Sequence, residues 1–380
     1  MATSTEKAES DNVRSAPEEQ ALRESVRELA AQWLQQGRYV PRSDSWLRSS
    51  DPAFSRALGE EGLLGVSWPR EYGGRGGTNV TRFAVVEELL RAGAPVAYHW
   101  MAERQIGPQI LKLGTDRLKA ELLPPITRGE LCFSLGMSEP EAGSDLASVR
   151  TVATRVAGGW RIDGRKIWTS LAQQATHGYL LARTSQSGAK HTGLSEFLLD
   201  MDTPGITVSP IVDMSGEHHF NEVLYENVFV PEHRLLGIEG NGWTQVVEQL
   251  SFERGGPERV LSTYPLLVEL LRSEAPLPER TRLTLGVLIA RLAIMRKMSR
   301  QVSEAVDAGG SPISEAATLK YLGNIFEHDV IEAARPVLGT DPQRGTAFAE
   351  AILASPGFSV RGGAADVLLD LIAKREVGTR

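Results

Sequence analysis

Leu135 to Asp145 reads LGMSEPEAGSD, and the chain changes texture across it. Before it, apolar residues recur at helical spacing; after it come short alternating runs. The stretch holds Gly136, Ser138, Gly143 and Ser144, with Gly158 further on. Such residues leave backbone N–H groups and hydroxyls free at a turn, and these are the partners that a planar polar cofactor ring and a phosphate need. A Pro/Gly/Ser connector between two domains is the plainer reading. Residue types alone leave both open.

Working outward toward the N-terminus, Leu22, Val26, Leu29, Ala30 and Leu34 follow helical spacing from Glu18 to about Gln36. Asp51-Pro52 supplies an N-cap and first helical residue for a helix to Gly62. After the turn-rich loop GLLGVSWPREYGGRGG (Gly62 to Gly77), further helices are expected over 79–91, 97–113 and 117–123. Downstream, the runs 149–156, 160–167, 179–183, 196–201, 206–211 and 221–230 read as strands separated by Gly and Asp turns. Helical texture returns after Gly240-Asn241-Gly242 and lasts to the end. The expected fold is α+β and mostly helical. It has a polar, disordered tail (1–17), an N-terminal helical domain (18–131), a central antiparallel β-barrel or sandwich (132–239) and a C-terminal four-helix-bundle domain (240–380).

With 380 residues the chain can bury a large core, and its 41% hydrophobic and 23% charged content is ordinary for a globular protein. A formal net charge of −7 argues against nucleic acid as a partner. A single cysteine, Cys132, excludes an internal disulfide, fits a reducing compartment and, between Leu131 and Phe133, reads as an inert buried thiol. No apolar run approaches a membrane span, and the first 17 residues lack the apolar core of a signal peptide. A cytoplasmic protein is the expectation, with no membrane partner.

Several motifs are decoys. Tyr72 to Gly77 holds only part of a dinucleotide fingerprint and follows no clear strand. His218-His219 have no further His or Cys at metal-ligand spacing, so no metal is expected, and one exposed and one packed imidazole is the preferred reading. Two features are stronger. In RKIWTS (Arg165 to Ser170), Trp168 and Ser170 fall on one face of a strand, a large ring beside a hydroxyl. An aromatic cofactor edge and an ordinary core tryptophan both fit. On the helix from Trp243, Val246, Leu250 and Glu253 share a face, so a carboxylate ends an apolar stripe. Burial makes a carboxylate a better general base; an ion pair with Arg254 or Arg280 is the structural alternative.

These residues together resemble the acyl-CoA dehydrogenases, FAD-dependent enzymes that oxidise a CoA thioester between its α and β carbons. MSEPEAGSD (Met137 to Asp145) is similar to the family's flavin motif, and DGRKIWTS (Asp163 to Ser170) to its N-G-x-K-x-W-I-T segment. Phe220 to Val223, Val230-Pro231, Gly242-Trp243 and the closing LIAKREVG (Leu371 to Gly378) also match. The resemblance implies that Met137 and Ser138 bond the flavin ring. Gly143 and Ser144 would contact the pyrophosphate region, Ser144 also lying near the CoA chain. Trp168 would pack on the flavin edge, and Ser170 stands where the family usually has Thr beside the reactive nitrogen.

Two departures carry information. Many members hold the catalytic base just before a C-terminal Gly-Thr-Ser run, but the matching position here is Gly362, which cannot take a proton. Other members carry the base in a Glu-Arg pair on the helix after the β domain, and Glu253-Arg254 matches; the resemblance implies Glu253 as base and Arg254 beside the substrate. The family's Arg-x-x-Phe-Gly segment and Gly-Gly-x-Gly loop, which reach a partner subunit's FAD, have no match in PLPERTRL (Pro276 to Leu283) or VLGTDPQR (Val337 to Arg344), and the closing Thr-Ser is Ala364-Ala365. The resemblance therefore implies acyl-CoA dehydrogenation with electrons passed to an electron-transfer flavoprotein. It also implies either a paralogous subunit in an α2β2 heterotetramer or a homo-oligomer. A flavin oxidase or monooxygenase of the same fold and a non-catalytic or half-site partner subunit are the alternatives. The acyl group is not legible, although heteromeric members often take bulky, steroid-like chains.

Overall fold

The computed structural model describes the backbone of residues 4–378 except 187, 275, 340–342 and 344, and the side chains from residue 17 onward except those and 250–253. The N-terminal part is helical: α1 (Ser4–Gln35), α2 (Ser45–Arg48), α3 (Pro52–Glu60), α4 (Asn79–Arg91), α5 (Ala97–Met101), α6 (Gly107–Leu113) and α7 (Asp116–Thr127). Strands follow: β1 (Phe133–Gly136), β2 (Val152–Val156), β3 (Gly159–Ser170), β4 (His177–Arg183), β5 (Leu194–Asp200), β6 (Ile206–Ile211), β7 (Phe220–Pro231) and β8 (Leu235–Leu236). The C-terminal part holds α8 (Gly242–Glu253), α9 (Tyr264–Leu271), α10 (Glu279–Asp307), α11 (Ile313–Leu338), α12 (Ala347–Phe358) and α13 (Ala365–Glu376).

Local chemistry explains the helix starts. Asp51 Oδ1 accepts from Ala53 N (2.7 Å) and Phe54 N (3.1 Å), with Pro52 in the first turn. Thr78 and Thr81 cap α4 reciprocally. Three expectations shift. The helix α1 runs back to Ser4, through the stretch expected as a tail, because Ala, Glu and Lys favour helix without an apolar face. The helix expected over 97–113 is α5 and α6 joined by a π-helical turn, Ala102–Ile106, which re-aims the side chains of that turn. The helix α7 continues through Pro124 and Pro125 to Thr127.

The sheet runs in the order β6-β7-β3-β2-β4-β5-β8, with β1 also on β4. Its ends do not pair with each other, so it is an open, sandwich-like sheet and no closed barrel; β8 has only two residues with which to extend the edge. It is mixed, not purely antiparallel, since β1 and β2 both lie parallel to β4. No strand is expected from the sequence before Val149, yet β1 seats Phe133–Gly136 against His177–Leu180 and so fixes where the following loop begins.

The helices share one large core. It joins Trp33, Phe54, Leu89, Trp100 and Leu123 of the N-terminal part to Leu266, Leu285, Leu319 and Phe326 of the C-terminal part. Buried Arg23 of α1 bonds Glu87 (2.6 Å) and Glu88 (2.8 Å) of α4, while Arg300 of α10 reaches Glu19 (2.8 Å). The sheet has its own core around Trp160, Ile162, Phe197 and Tyr225.

One polar network ties the sheet to α8. Tyr179 Oη donates to Glu196 Oε1 (2.7 Å), and Gln245 Nε2 donates to Glu196 Oε2 (2.7 Å) and to Leu236 O (3.1 Å). Burial pushes the Glu196 carboxyl up to about 7 despite these two donors. A raised carboxyl contributes stability that is fully present below its ordinary value of 4.5 and is lost as pH rises through about 7. Glu196→Gln is expected to flatten the pH dependence of the urea midpoint across that window; an unchanged slope would show that Glu196 does not titrate there.

Candidate active site

The site begins where β1 ends. Gly136 has no room for a side chain: a Cβ would lie 3.0 Å from Leu180 Cδ1 and 3.3 Å from Lys166 Cγ. The Lys166 stem therefore passes over bare backbone. Its Nζ donates to Met137 O (3.0 Å) and to Glu139 Oε1 (2.9 Å), and Ile167 N donates to Ser138 O (3.0 Å). Glu139 further accepts from Thr151 N (2.9 Å), Thr151 Oγ1 (2.6 Å) and Arg150 N (2.6 Å). The Glu139–Ala142 turn closes on itself through two backbone bonds. The carbonyls of Met137 and Ser138 are thus both held toward β3.

Lys166 is fully buried and Glu139 nearly so. Burial lowers the Lys166 ammonium to about 8, with Glu139 opposing the shift. Burial also works against the Glu139 carboxylate, but Lys166, Thr151 and the Arg150 amide outweigh it and hold the group below its ordinary value.

Beyond Lys166 the β3–β7 ladder slips. Lys166 pairs Val223 and Thr169 pairs Asn221, so β3 carries one extra residue. Plain alternation would put Trp168 on the inward face of Lys166. The bulge, with Trp168 at φ 59°, turns the indole out instead; it is 56% exposed and meets Phe220 edge-on at 5.8 Å. Trp168 and half-buried Ser170 share the outward side, and Thr169 is buried between them. The hydroxyls of Ser138, Ser144 and Ser170 make no hydrogen bond among the described residues. Gly143 and Ser144 are exposed at the loop's tip, next to Asp145, which Lys190 (2.7 Å) and Ser148 (2.5 Å) hold.

The helix α8 packs on this same loop. Val246 joins Ala142, Val149, Leu181 and Leu194, with half-buried Met137 and Trp243 against them. Glu253 is the last residue of α8; its side chain lies outside the described residues, as does that of Leu250. Arg254 is buried and its Nε donates to Gly362 O (3.2 Å). Gly362 has φ 67°, and a Cβ there would start 2.9 Å from the tip of Arg259, so a side chain at this position would be strained. The structure holds Met137 and Ser138 against β3 next to Trp168, leaves Gly143 and Ser144 at the exposed tip of the same loop, and places Arg254, just past α8, on Gly362.

Sequence reading missed Glu139 and Lys166, although a lysine at an inward position of an alternating strand is a usable signal. Two side expectations hold: His218 is exposed and His219 buried, and burial raises the Cys132 thiol to about 12. Among the described residues no cluster could hold a metal ion, and no helix is long and apolar enough to cross a membrane.

Comparison with known proteins agrees with this layout. The N-terminal, middle and C-terminal domain models of acyl-CoA dehydrogenase match residues 16–130, 134–228 and 279–377. The acyl-CoA dehydrogenase IpdE1 of Mycobacterium tuberculosis is 31% identical over 86% of this chain and 87% of its own length. The chain belongs to the acyl-CoA dehydrogenase family, whose members are flavoproteins. FadE34 of the same organism is 32% identical over 85% of this chain, which spans 45% of that relative's length. Among solved structures, "Tcur3481-Tcur3483 steroid ACAD" superposes with a TM-score of 0.81 at 28% identity, covering 95% of this chain and 98% of that one. The ChsE4-ChsE5 complex from Mycobacterium tuberculosis gives 0.81 at 28%, covering 96% and 98%.

Removing one partner of the buried Lys166–Glu139 pair leaves the other charged in low dielectric. Lys166→Met is expected to destabilise the protein by about 3–5 kcal/mol, read from the urea midpoint, and adding Glu139→Gln to recover part of that loss. Equal midpoints for wild type and single variant would show that the pair does not hold the loop.

Proposed function

We propose that this chain, with FAD bound, oxidises an acyl-CoA thioester to the trans-enoyl-CoA and passes the electrons to an electron-transfer flavoprotein. The observation that carries this reading is the outward face built on Lys166 and Glu139. There, three serine hydroxyls have no hydrogen-bond partner among the described residues, an indole ring is exposed, and a Cβ at Gly143 would meet nothing within 4 Å. Such a face fits a flavin. Met137 and Ser138 would bond its ring, Gly143 and Ser144 its pyrophosphate, with Ser144 also near the CoA chain. Trp168 would cover its edge, and the Ser170 hydroxyl would donate to the reactive nitrogen. When bound, the flavin supplies the acceptor for a hydride from the β carbon.

The chain's own chemical task is the α-proton, which the Glu253 carboxylate removes. Gly362, the other position at which the family carries a base, has no carboxylate, and its φ of 67° would strain any side chain placed there. Arg254, fixed on the Gly362 carbonyl, lies next to the base and borders the substrate. Glu253→Gln is expected to keep bound flavin and its spectrum but to slow flavin bleaching by substrate by roughly 100- to 10,000-fold. Bleaching at the wild-type rate would remove Glu253 from the mechanism.

A heteromeric assembly is the second part of the proposal. The adenine-side motifs absent from PLPERTRL and from the closing Ala364-Ala365 support it, as do similar structures described as ChsE4-ChsE5 and Tcur3481-Tcur3483. Residues 340–342 and 344 of the second missing motif lie outside the described residues. The similar protein described as a steroid ACAD favours a bulky, steroid-like acyl group. Co-expression with the adjacent paralogue is expected to give an α2β2 particle with more flavin per chain than this chain alone holds. A homotetramer with one FAD per subunit, purified from this chain alone, would refute the heteromer.

A further inference from the structure

The run from Trp168 to Leu171 is held in a backbone that its side chains do not favour. Trp168 has φ 59° and Leu171 φ 54°. The other non-glycine residues with a left-handed backbone among the described residues are Asp44 and Asn227. Asp and Asn tolerate that conformation, whereas bulky Trp and Leu adopt it only where their surroundings impose it. Thr169 and Ser170 lie between the two, so whatever imposes the bend also aims the Ser170 side chain.

Asn221 on β7 stands opposite Thr169 in the ladder and is fully buried. Its Nδ2 donates to Thr169 O (3.0 Å) and to Gln173 Oε1 (2.7 Å), and its Oδ1 lies 2.7 Å from His218 Nε2. A carbonyl can only accept, so the amide nitrogen must face Thr169 O, and His218 donates to the amide oxygen. The same two segments are joined again by Leu171 N donating to His219 O (2.8 Å) and Gln173 Nε2 to His218 O (2.9 Å). Each peptide group is planar, so holding one of its atoms restrains the whole plane. Both planes that flank Ser170 are held in this way, one through Thr169 O and the other through Leu171 N. Their orientations set the direction in which the Ser170 Cβ and hydroxyl leave the strand. With no exposed surface, Asn221 does not itself meet a ligand.

We infer that Asn221 is a positioning residue for the flavin: through the Thr169 carbonyl it aims the Ser170 hydroxyl at the reactive nitrogen. The inference rests on the flavin reading above, in which that hydroxyl bonds the nitrogen. Without the amide, the Thr169–Ser170 peptide is free to turn, and the hydroxyl misses its acceptor.

The test is a double-mutant cycle on the flavin-loaded protein, with its partner subunit where one is needed. It reads the flavin midpoint potential against a reference dye, without substrate. Ser170→Ala and Asn221→Leu are each expected to change the ratio of affinities for oxidised and reduced flavin by roughly tenfold in the same direction, which is about 30 mV for two electrons. The double variant is expected to shift no further than Ser170→Ala alone, because Asn221 acts through that hydroxyl. Where Asn221→Leu does not fold, Asn221→Asp takes its place in the cycle, since it keeps the shape and, once ionised, cannot donate. A potential unchanged by the Asn221 variant, or two shifts that add, overturns the positioning role and leaves the flavin site intact. A potential unchanged by Ser170→Ala shows that the hydroxyl does not meet the flavin, and overturns that part of the site together with this inference. Folded protein that binds no flavin in any form overturns both the proposed function and the role of Asn221.

Discussion

The buried ion pair between Lys166 and Glu139 is the constraint on which the candidate site depends. A lysine with no solvent exposure is costly, and here it is stabilised by a carboxylate that three other donors also hold. The pair locks the loop after β1 to β3. The lysine stem packs closely over Gly136, where an added Cβ would lie 3.3 Å from Cγ. It also explains why the strand must bulge immediately afterwards. With Lys166 committed inward, an extra residue is the way to put Trp168 and Ser170 on the outer face beside Ser138.

The second organising element is α8, which faces three surroundings at once. Gln245 ties its first turn to Glu196 and Tyr179 of the sheet, and Val246 sits on the loop after β1. Its far end meets the C-terminal segment through Arg254 and Gly362. A proton acceptor on this helix is therefore positioned by contacts with every other part of the fold. At the neighbouring position, 362, the left-handed backbone favours glycine, and Arg259 lies over it.

The order of helices, strands and helices was legible in the sequence because hydrophobic period and turn residues report local structure directly. Asn79 to Arg91 and Ile206 to Ile211 fall where spacing puts them. That Trp168 and Ser170 share a face was also legible, but not which way that face points. Period-two spacing relates those two residues to each other, whereas only the bulge, a property of the pairing with β7, decides which side of the sheet they share. The ion pair was not legible, because Glu139 and Lys166 are brought together by strand register. The π-helical turn at 102–106 was hidden for a similar reason: its sequence continues a helical pattern, and the extra residue per turn appears only in the packing. The family resemblance supplied the role of Glu253, which spacing alone left divided between a base and a structural ion pair.

Anaerobic titration of the flavin-loaded protein with acyl-CoA thioesters, followed by flavin absorbance and by product analysis, tests the central claim most directly. The account predicts that a thioester fitting the pocket bleaches the flavin in proportion to the amount added, with an equal amount of enoyl-CoA formed. A flavin that stays oxidised while the same thioesters bind tightly would contradict it.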